Sequence, residues 1–347
     1  MVKDEAFSGG KGQGNPYLGA IKDALPQEEV NTHALQRYDS TNDTTVLSLY
    51  RYGARHAAQF LPQPETGETI LEIGSGTGDS TLELFLKYPG VDFNILGIEQ
   101  SQGMLAVAQY KFHHEDGENV MAAEPNEQVQ SFWNAFRQES ESYQGRVQFV
   151  NDDFLTTTSL DKEAYKSAVA IQVMHWLDSG EKGKDLTSAL SRFSEFIKPE
   201  GSLLWTTSSH YFNDKKFPTL EYNCRYNDFF KFVLEEVSHS YAVNGVEQLP
   251  QPKQNLESVQ AASRAAGMET TQLTTRMNEF DLQTLVSFHT PRIVRSLLKE
   301  PDNVDDSELQ KVTKAAVQKA IGNIYDGTLS DTKHIHDIVP VFMSVKK

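Results

Sequence analysis

Short apolar runs alternate with helix-period segments along most of the chain. Residues 70–73, 93–98, 147–150, 167–171 and 202–206 read as buried strands, each a compact apolar or β-branched run bounded by turn residues. Between and after them, apolar positions at helical spacing predict helices over 79–87, 129–137, 190–197 and 256–266, the last ending at Gly267. A helix before the first strand runs to Leu61, with Asp39, Ser40, Thr41, Asn42 and Asp43 as N-cap candidates and Pro62 and Pro64 as its stop. Strands at 270–275 and 338–345 bring the total to seven, and Pro340 predicts that the last one lies at a sheet edge or beside a bulge. The fold class is α/β, a Rossmann-like seven-stranded sheet with helices on both faces.

Residues 1–16, with Gly9, Gly10, Gly12 and Gly14, read as a flexible tail, and 17–347 as one elaborated domain. Within it, the polar and acidic segment 113–146 is an insertion. The aromatic-rich segment 210–254, which includes Tyr211, Phe212 and Phe217, and the largely helical segment 282–337 read as covers over the crevice. The alternative is that aromatics at helical spacing are plain core.

Charge narrows the partners. With 32 Lys and Arg against 48 Asp and Glu, the net charge is −16, which argues against nucleic acid, whose affinity comes from clustered cations. No apolar span approaches 20 residues and the first residues hold no apolar signal core, so neither membrane insertion nor secretion is expected, and a cytoplasmic location follows. Cys224 is the only cysteine, so there is no internal disulfide and no cysteine metal cage. His113 and His114, and His334 and His336 with Asp337, lack further ligands close in sequence, and no metal is expected.

The candidate chemistry begins at the first strand. Ile70-Leu71-Glu72-Ile73-Gly74-Ser75-Gly76-Thr77-Gly78-Asp79 is a strand feeding a helix through a glycine turn, where the backbone can approach a ligand and the helix offers free N–H groups. A P-loop would end in Gly-Lys-Ser/Thr, and this turn has no lysine; the dinucleotide fingerprint needs glycine where Asp79 stands. Glu99 ends the second strand, where an acid can accept from two ribose hydroxyls.

These residues resemble the class I S-adenosylmethionine (SAM)-dependent methyltransferases. Glu72, Gly74, Ser75, Gly76 and Gly78 match the family's first motif, and Glu99-Gln100-Ser101-Gln102-Gly103-Met104-Leu105 its acidic-x-Ser-x-x-Met-Leu segment. The resemblance implies SAM as cofactor: Glu72 and the glycines face its amino-acid part, Glu99 and Gln100 its ribose. Asp152 accepts from the adenine amine, with Asp153 and Phe154 beside the ring. An acidic, lysine-free loop suits a cationic sulfonium better than a pyrophosphate.

For the acceptor, two readings stay open. The layout resembles the histamine N-methyltransferase family, with an Asp-Ser-Thr-Asn segment before the first motif, Tyr-Pro-Gly-Val before the second strand, and Ile171-Gln172 with Met174 after the fourth. That resemblance implies a small-molecule nitrogen acceptor held by Asn42, Gln172 and a residue near Asp337, with Gln172 also beside the cofactor and Tyr211 in the cover. Met174-His175-Trp176-Leu177 is similar instead to the Leu-His-Trp segment of small-molecule carboxyl methyltransferases, in which an imidazole and an indole hold a carboxylate. Gln172 and His175 are the catalytic candidates in these two readings, with Trp176 beside them. A SAM-binding protein without catalysis is a third alternative, against which Glu72, the glycines and Glu99 all stand intact. The sequence leaves the oligomeric state open.

Overall fold

The computed structural model describes residues 49–117, 127–178, 185–207, 212, 232–237, 254–280, 311–312, 314–320 and 335–347. Its elements in order are α1 (Leu49–Ala58), β1 (Thr69–Ile73), α2 (Asp79–Lys87), β2 (Asn94–Glu99), α3 (Gln102–Lys111), α4 (Glu127–Ser140) and β3 (Val147–Asn151). They continue with β4 (Tyr165–Ala170), the single-turn α5 (Met174–Leu177), α6 (Leu186–Phe196), β5 (Ile197–Thr206), α7 (Leu256–Ala265), β6 (Met268–Phe280) and β7 (Ile335–Lys346). The chain divides into two compact units. Residues 38–214, 252–276 and 339–347 form one, and 1–37, 215–251 and 277–338 the other. The tail 1–16 lies outside the described residues, as do most of the two expected covers.

The strands form one sheet in the order β3-β2-β1-β4-β5-β7-β6. β1 runs parallel to β2 and β4, β3 and β5 extend the parallel run, and β7 pairs antiparallel with β5 from Val341↔Thr206 to Val345↔Ser202. β1 is central because four of its five residues are buried, a run that fits only a strand covered on both faces. Successive side chains then serve opposite cores. Ile70 joins Leu82, Phe85, Phe93 and Phe149 on one side, while Leu71 and Ile73 join Phe154, Leu190, Phe193 and Trp205 on the other. Helix α6 buries Leu186, Ala189, Leu190, Phe193 and Phe196, spaced at three to four residues, and starts at an Asp185 cap that accepts from the Ser188 N–H.

Of the two settings predicted from Pro340, a sheet edge or a bulge, the edge is incorrect, because β7 sits between β5 and β6. Pro340 is tolerated because it falls one residue beyond the stretch paired with β5, where its missing N–H removes no bond of that pairing. The interval 198–201, between the helix predicted over 190–197 and the strand predicted at 202–206, is part of β5, with Glu200 at φ 63° and a register irregularity between Tyr165 and Ser167 opposite it.

Candidate functional site

Parallel sheets of this kind open a crevice beyond the carboxyl ends of the strands, at the point where the order reverses. Here that point lies between β1 and β4, and the residues of interest cluster at those ends. The turn 74–78 is tied to β2, since the Gly74 and Ser75 N–H groups both donate to the Ile98 carbonyl, at 2.8 and 3.3 Å. Two of its glycines are required by geometry. Gly74 (φ 68°) leaves the space its Cβ would need to the Val173 side chain, and Gly78 (φ 84°) lets the Phe112 ring approach to 2.9 Å of where a Cβ would be.

Glu72 lies beneath this turn, fully buried, and its carboxylate accepts from Ser80 Oγ and, at 2.6 Å, from Thr81 Oγ1. It therefore anchors the first turn of α2. Burial pushes its carboxyl from 4.5 up to about 7; the two hydroxyls pull it down, and Glu99 and Asp79 add to the rise.

Glu99 closes the turn from the other side. Its Oε2 accepts from the Gly76 N–H at 3.0 Å and its Oε1 from the Ser101 N–H at 2.7 Å. Burial raises its pKa, against the lowering effect of the backbone donors at Ser101, Gly76 and Gln100. Asn151, which the sequence reading missed, stands opposite Glu99 in the sheet and donates from Nδ2 to the Glu99 and Gln100 carbonyls, at 2.9 and 3.0 Å. The available signal was an amide in register with the acid at the end of the next strand. Gln100 itself is exposed.

Beyond β3 the two acids divide. Asp152 binds its own loop, accepting from Thr157 Oγ1, from Ser159 Oγ at 3.1 Å and from the Asp153 N–H at 2.8 Å, and these bonds, the Thr157 one first, hold its carboxyl below the usual range. Asp153 uses Oδ1 for the Leu155 N–H at 3.0 Å. Phe154 turns into the core, its ring 4.4 Å from that of Phe193 and 3% exposed, so the position expected beside a ligand ring is corrected to one supporting the loop from below.

At the end of β4, Gln172 takes φ 60° and donates its N–H to Thr206 Oγ1 at 2.8 Å, which offsets the strain of a left-handed non-glycine residue. In α5, Met174 is buried and His175 half-buried, its ring 5.1 Å from that of Trp176. Trp176 is 49% exposed, the largest figure for a big apolar side chain among the described residues. The turn, Glu99, Asp152, Asp153, Gln172, His175 and Trp176 thus gather at the carboxyl ends of adjacent strands. Asn42, Tyr211 and the side chain of Asp337 lie outside the described residues. Among the described residues there is no group of three His, Cys, Asp or Glu arranged to hold a metal, and no helix long and apolar enough to cross a membrane.

A family model described as a methyltransferase domain matches residues 48–237, which takes in the turn, Glu99, the two aspartates and the Gln172 loop. The chain belongs to that methyltransferase family. Its seven-stranded order with an antiparallel β7 is the class I, SAM-dependent architecture. A search of curated protein sequences finds no match. Solved structures similar to this methyltransferase include the YcgJ protein of Bacillus subtilis, 14% identical, with 84% of this chain and 98% of that one covered and a TM-score of 0.46. Phosphoethanolamine N-methyltransferase 2 of Haemonchus contortus, in complex with SAM, is 16% identical, with 94% and 60% covered and a TM-score of 0.41. Geranyl diphosphate C-methyltransferase of Streptomyces coelicolor A3(2) is 14% identical, with 93% and 86% covered and a TM-score of 0.42.

Proposed function

We propose that this methyltransferase binds SAM across the carboxyl ends of β1, β2 and β3 and transfers its methyl group to a nitrogen of a small-molecule amine or imidazole. The observation that carries the cofactor half is Glu99 bridging the Gly76 and Ser101 N–H groups. Both of its oxygens are oriented by backbone donors and keep lone-pair capacity for a ribose hydroxyl. The donor set fits the cofactor, because a turn without lysine flanked by Glu72 and Glu99 favours a cation. SAM supplies an electrophilic methyl group already activated by its sulfonium. The chain's own residues have to orient the acceptor in line, exclude water and receive a proton if the nucleophile loses one.

Within this reading Asp153 is the better acceptor for the adenine amine. Both oxygens of Asp152 are already engaged by its loop, whereas Asp153 Oδ2 carries no bond among the described residues. Gln172, fixed beside the turn, offers its amide to the acceptor nitrogen. The sequence segments that resemble those of the histamine N-methyltransferases, and the acids around the crevice, support an amine.

The second reading, a carboxyl O-methyltransferase, is favoured by the exposed Trp176 next to His175, which together present an indole and an imidazole at one strand end. Calorimetry with SAM tests the cofactor half: micromolar binding is expected, lost in Gly74→Ala, whose new methyl group collides with Val173. A screen of amines against carboxylic acids, read as S-adenosylhomocysteine release, tests the acceptor. Transfer to acids alone would overturn the nitrogen assignment in favour of the second reading.

A further inference from the structure

Behind the glycine turn, three cations and three anions meet among four helices. On α1, Arg51 and Arg55 stand one turn apart, as do Asp79 and Glu83 on α2. Glu83 accepts from Arg51 Nε at 2.8 Å and Arg55 Nε at 2.9 Å, and Glu139 of α4 takes both terminal nitrogens of Arg51, at 2.8 and 3.0 Å. Asp79 faces Lys111, the last residue of α3. The Lys111 ammonium lies 3.7 Å from Asp79 Oδ2 and 4.2 Å from the centre of the Phe136 ring, with its side chain 0% exposed.

A buried ammonium is an expensive way to fill a core. Removing an ion from water costs several kcal/mol, and an apolar side chain of the same length would often serve stability as well or better. The same Asp79 oxygen accepts from Thr77 Oγ1 at 2.8 Å, and Thr77 lies inside the turn, between Gly76 and Gly78. Helix α3 also runs along this turn. Met104 reaches to 3.1 Å of where a Gly76 Cβ would be, and Phe112, just past the helix, to 2.9 Å of where a Gly78 Cβ would be. At its other end, Ser101 caps α3 and holds Glu99, which in turn holds the Gly76 N–H.

We infer that Lys111 and Asp79 are positioning residues: the charged pair, acting through Thr77, fixes the glycine turn in the shape that binds SAM, and cofactor affinity depends on both charges. This rests on the SAM reading above. Burial draws the Lys111 pKa from 10.5 down to about 8; Arg51 of α1 lowers it further and Asp79 of α2 raises it. Glu83 and Glu139 reach the group only through Arg51, and Phe136 of α4 supplies an uncharged ring. Below pH 8 Lys111 is therefore charged, and above it the counter-ion of Asp79 is lost.

The test is calorimetric titration of the whole chain with SAM from pH 6.5 to 9.5, for wild type, Lys111→Met, Asp79→Asn and the double variant. Each single variant should bind roughly tenfold more weakly at pH 7, and the double variant should recover part of the loss, as coupling of contacting residues requires. The ratio of wild-type to Lys111→Met affinity should fall toward one as pH rises through 8; taking the ratio cancels titration of the ligand's own amine. A role limited to stability predicts no such convergence and no recovery. Single-variant affinities within twofold of wild type at pH 7, or a ratio flat in pH, would overturn the inference. If wild type itself fails to bind SAM at any pH, the cofactor reading falls, and the pair with it. Should Lys111→Met fail to fold, Asp79→Asn alone decides the matter, since it must weaken binding below pH 8.

Discussion

Replacing Glu72 by Gln should stabilise the protein at neutral pH. Folding raises this carboxyl from 4.5 to about 7, so the native state holds a proton that the unfolded chain has released across that window. Its contribution is complete below pH 4.5 and is lost as pH rises to about 7. At about 1.4 kcal/mol per pH unit the loss reaches about 3 kcal/mol. Gln remains neutral throughout, can accept from Thr81 with its carbonyl and can donate its amide to Ser80 Oγ, so it mimics the protonated acid. Urea unfolding followed by tryptophan fluorescence is the assay. All three tryptophans, Trp133, Trp176 and Trp205, belong to the unit that contains the turn, so the signal reports on that unit. The variant and wild type should be equally stable near pH 4.5 and diverge to about 3 kcal/mol in the variant's favour by pH 7.5. A difference independent of pH, or a wild type that is more stable at pH 7.5, would refute the reasoning. Above pH 7 the same variant should bind SAM more weakly, because it lacks the negative charge that wild type then carries beneath the turn.

Other substitutions separate cofactor, acceptor and scaffold. Asn151→Ala frees the Glu99 and Gln100 carbonyls and should weaken SAM binding roughly thirtyfold by calorimetry, the result of losing about 1 kcal/mol from each of two bonds, with little change in melting temperature. Thr206→Val removes the acceptor of the Gln172 N–H; steady-state kinetics with an acceptor from the screen should show kcat reduced roughly tenfold, while the SAM dissociation constant moves less than twofold and Thr206→Ser restores the rate. Arg51→Met leaves Glu139 unpaired and Glu83 with Arg55 alone, and should cost about 3 kcal/mol in urea unfolding.

The features legible in the sequence were the local ones. A strand, a five-residue turn and the helix it feeds are written in consecutive residues, so β1, the glycine turn and α2 were read within a residue of their observed bounds, and Glu99 followed as the end of the next apolar run. Contacts that depend on strand order were not legible. Asn151 matters because β3 lies beside β2, and the edge position offered for Pro340 fails because the place of β7 inside the sheet leaves no mark in its own residues. Phe154 follows two acids that look like one site, yet all three lie past the end of β3, in a turn that sends the ring into the core while the carboxylates hold the loop near the surface. The ion cluster behind the turn was equally hidden. Arg51, Glu83, Lys111 and Glu139 come from four helices, and only the assembled fold brings them together.

The position of β7 also sets an order of assembly. β6 precedes β7 in the chain, but its neighbour in the sheet is β7, which in turn is the strand that meets β5. During synthesis the strands from β1 to β5 can pair as they emerge, completing the crevice side of the sheet, whereas β6 must wait without a neighbour until a strand more than fifty residues later is made. Pairing strands so far apart in sequence is slow, and an unpaired strand edge is a site for aggregation in the interval. Chaperones would therefore meet this chain with its cofactor half already formed and its last two strands still to be joined.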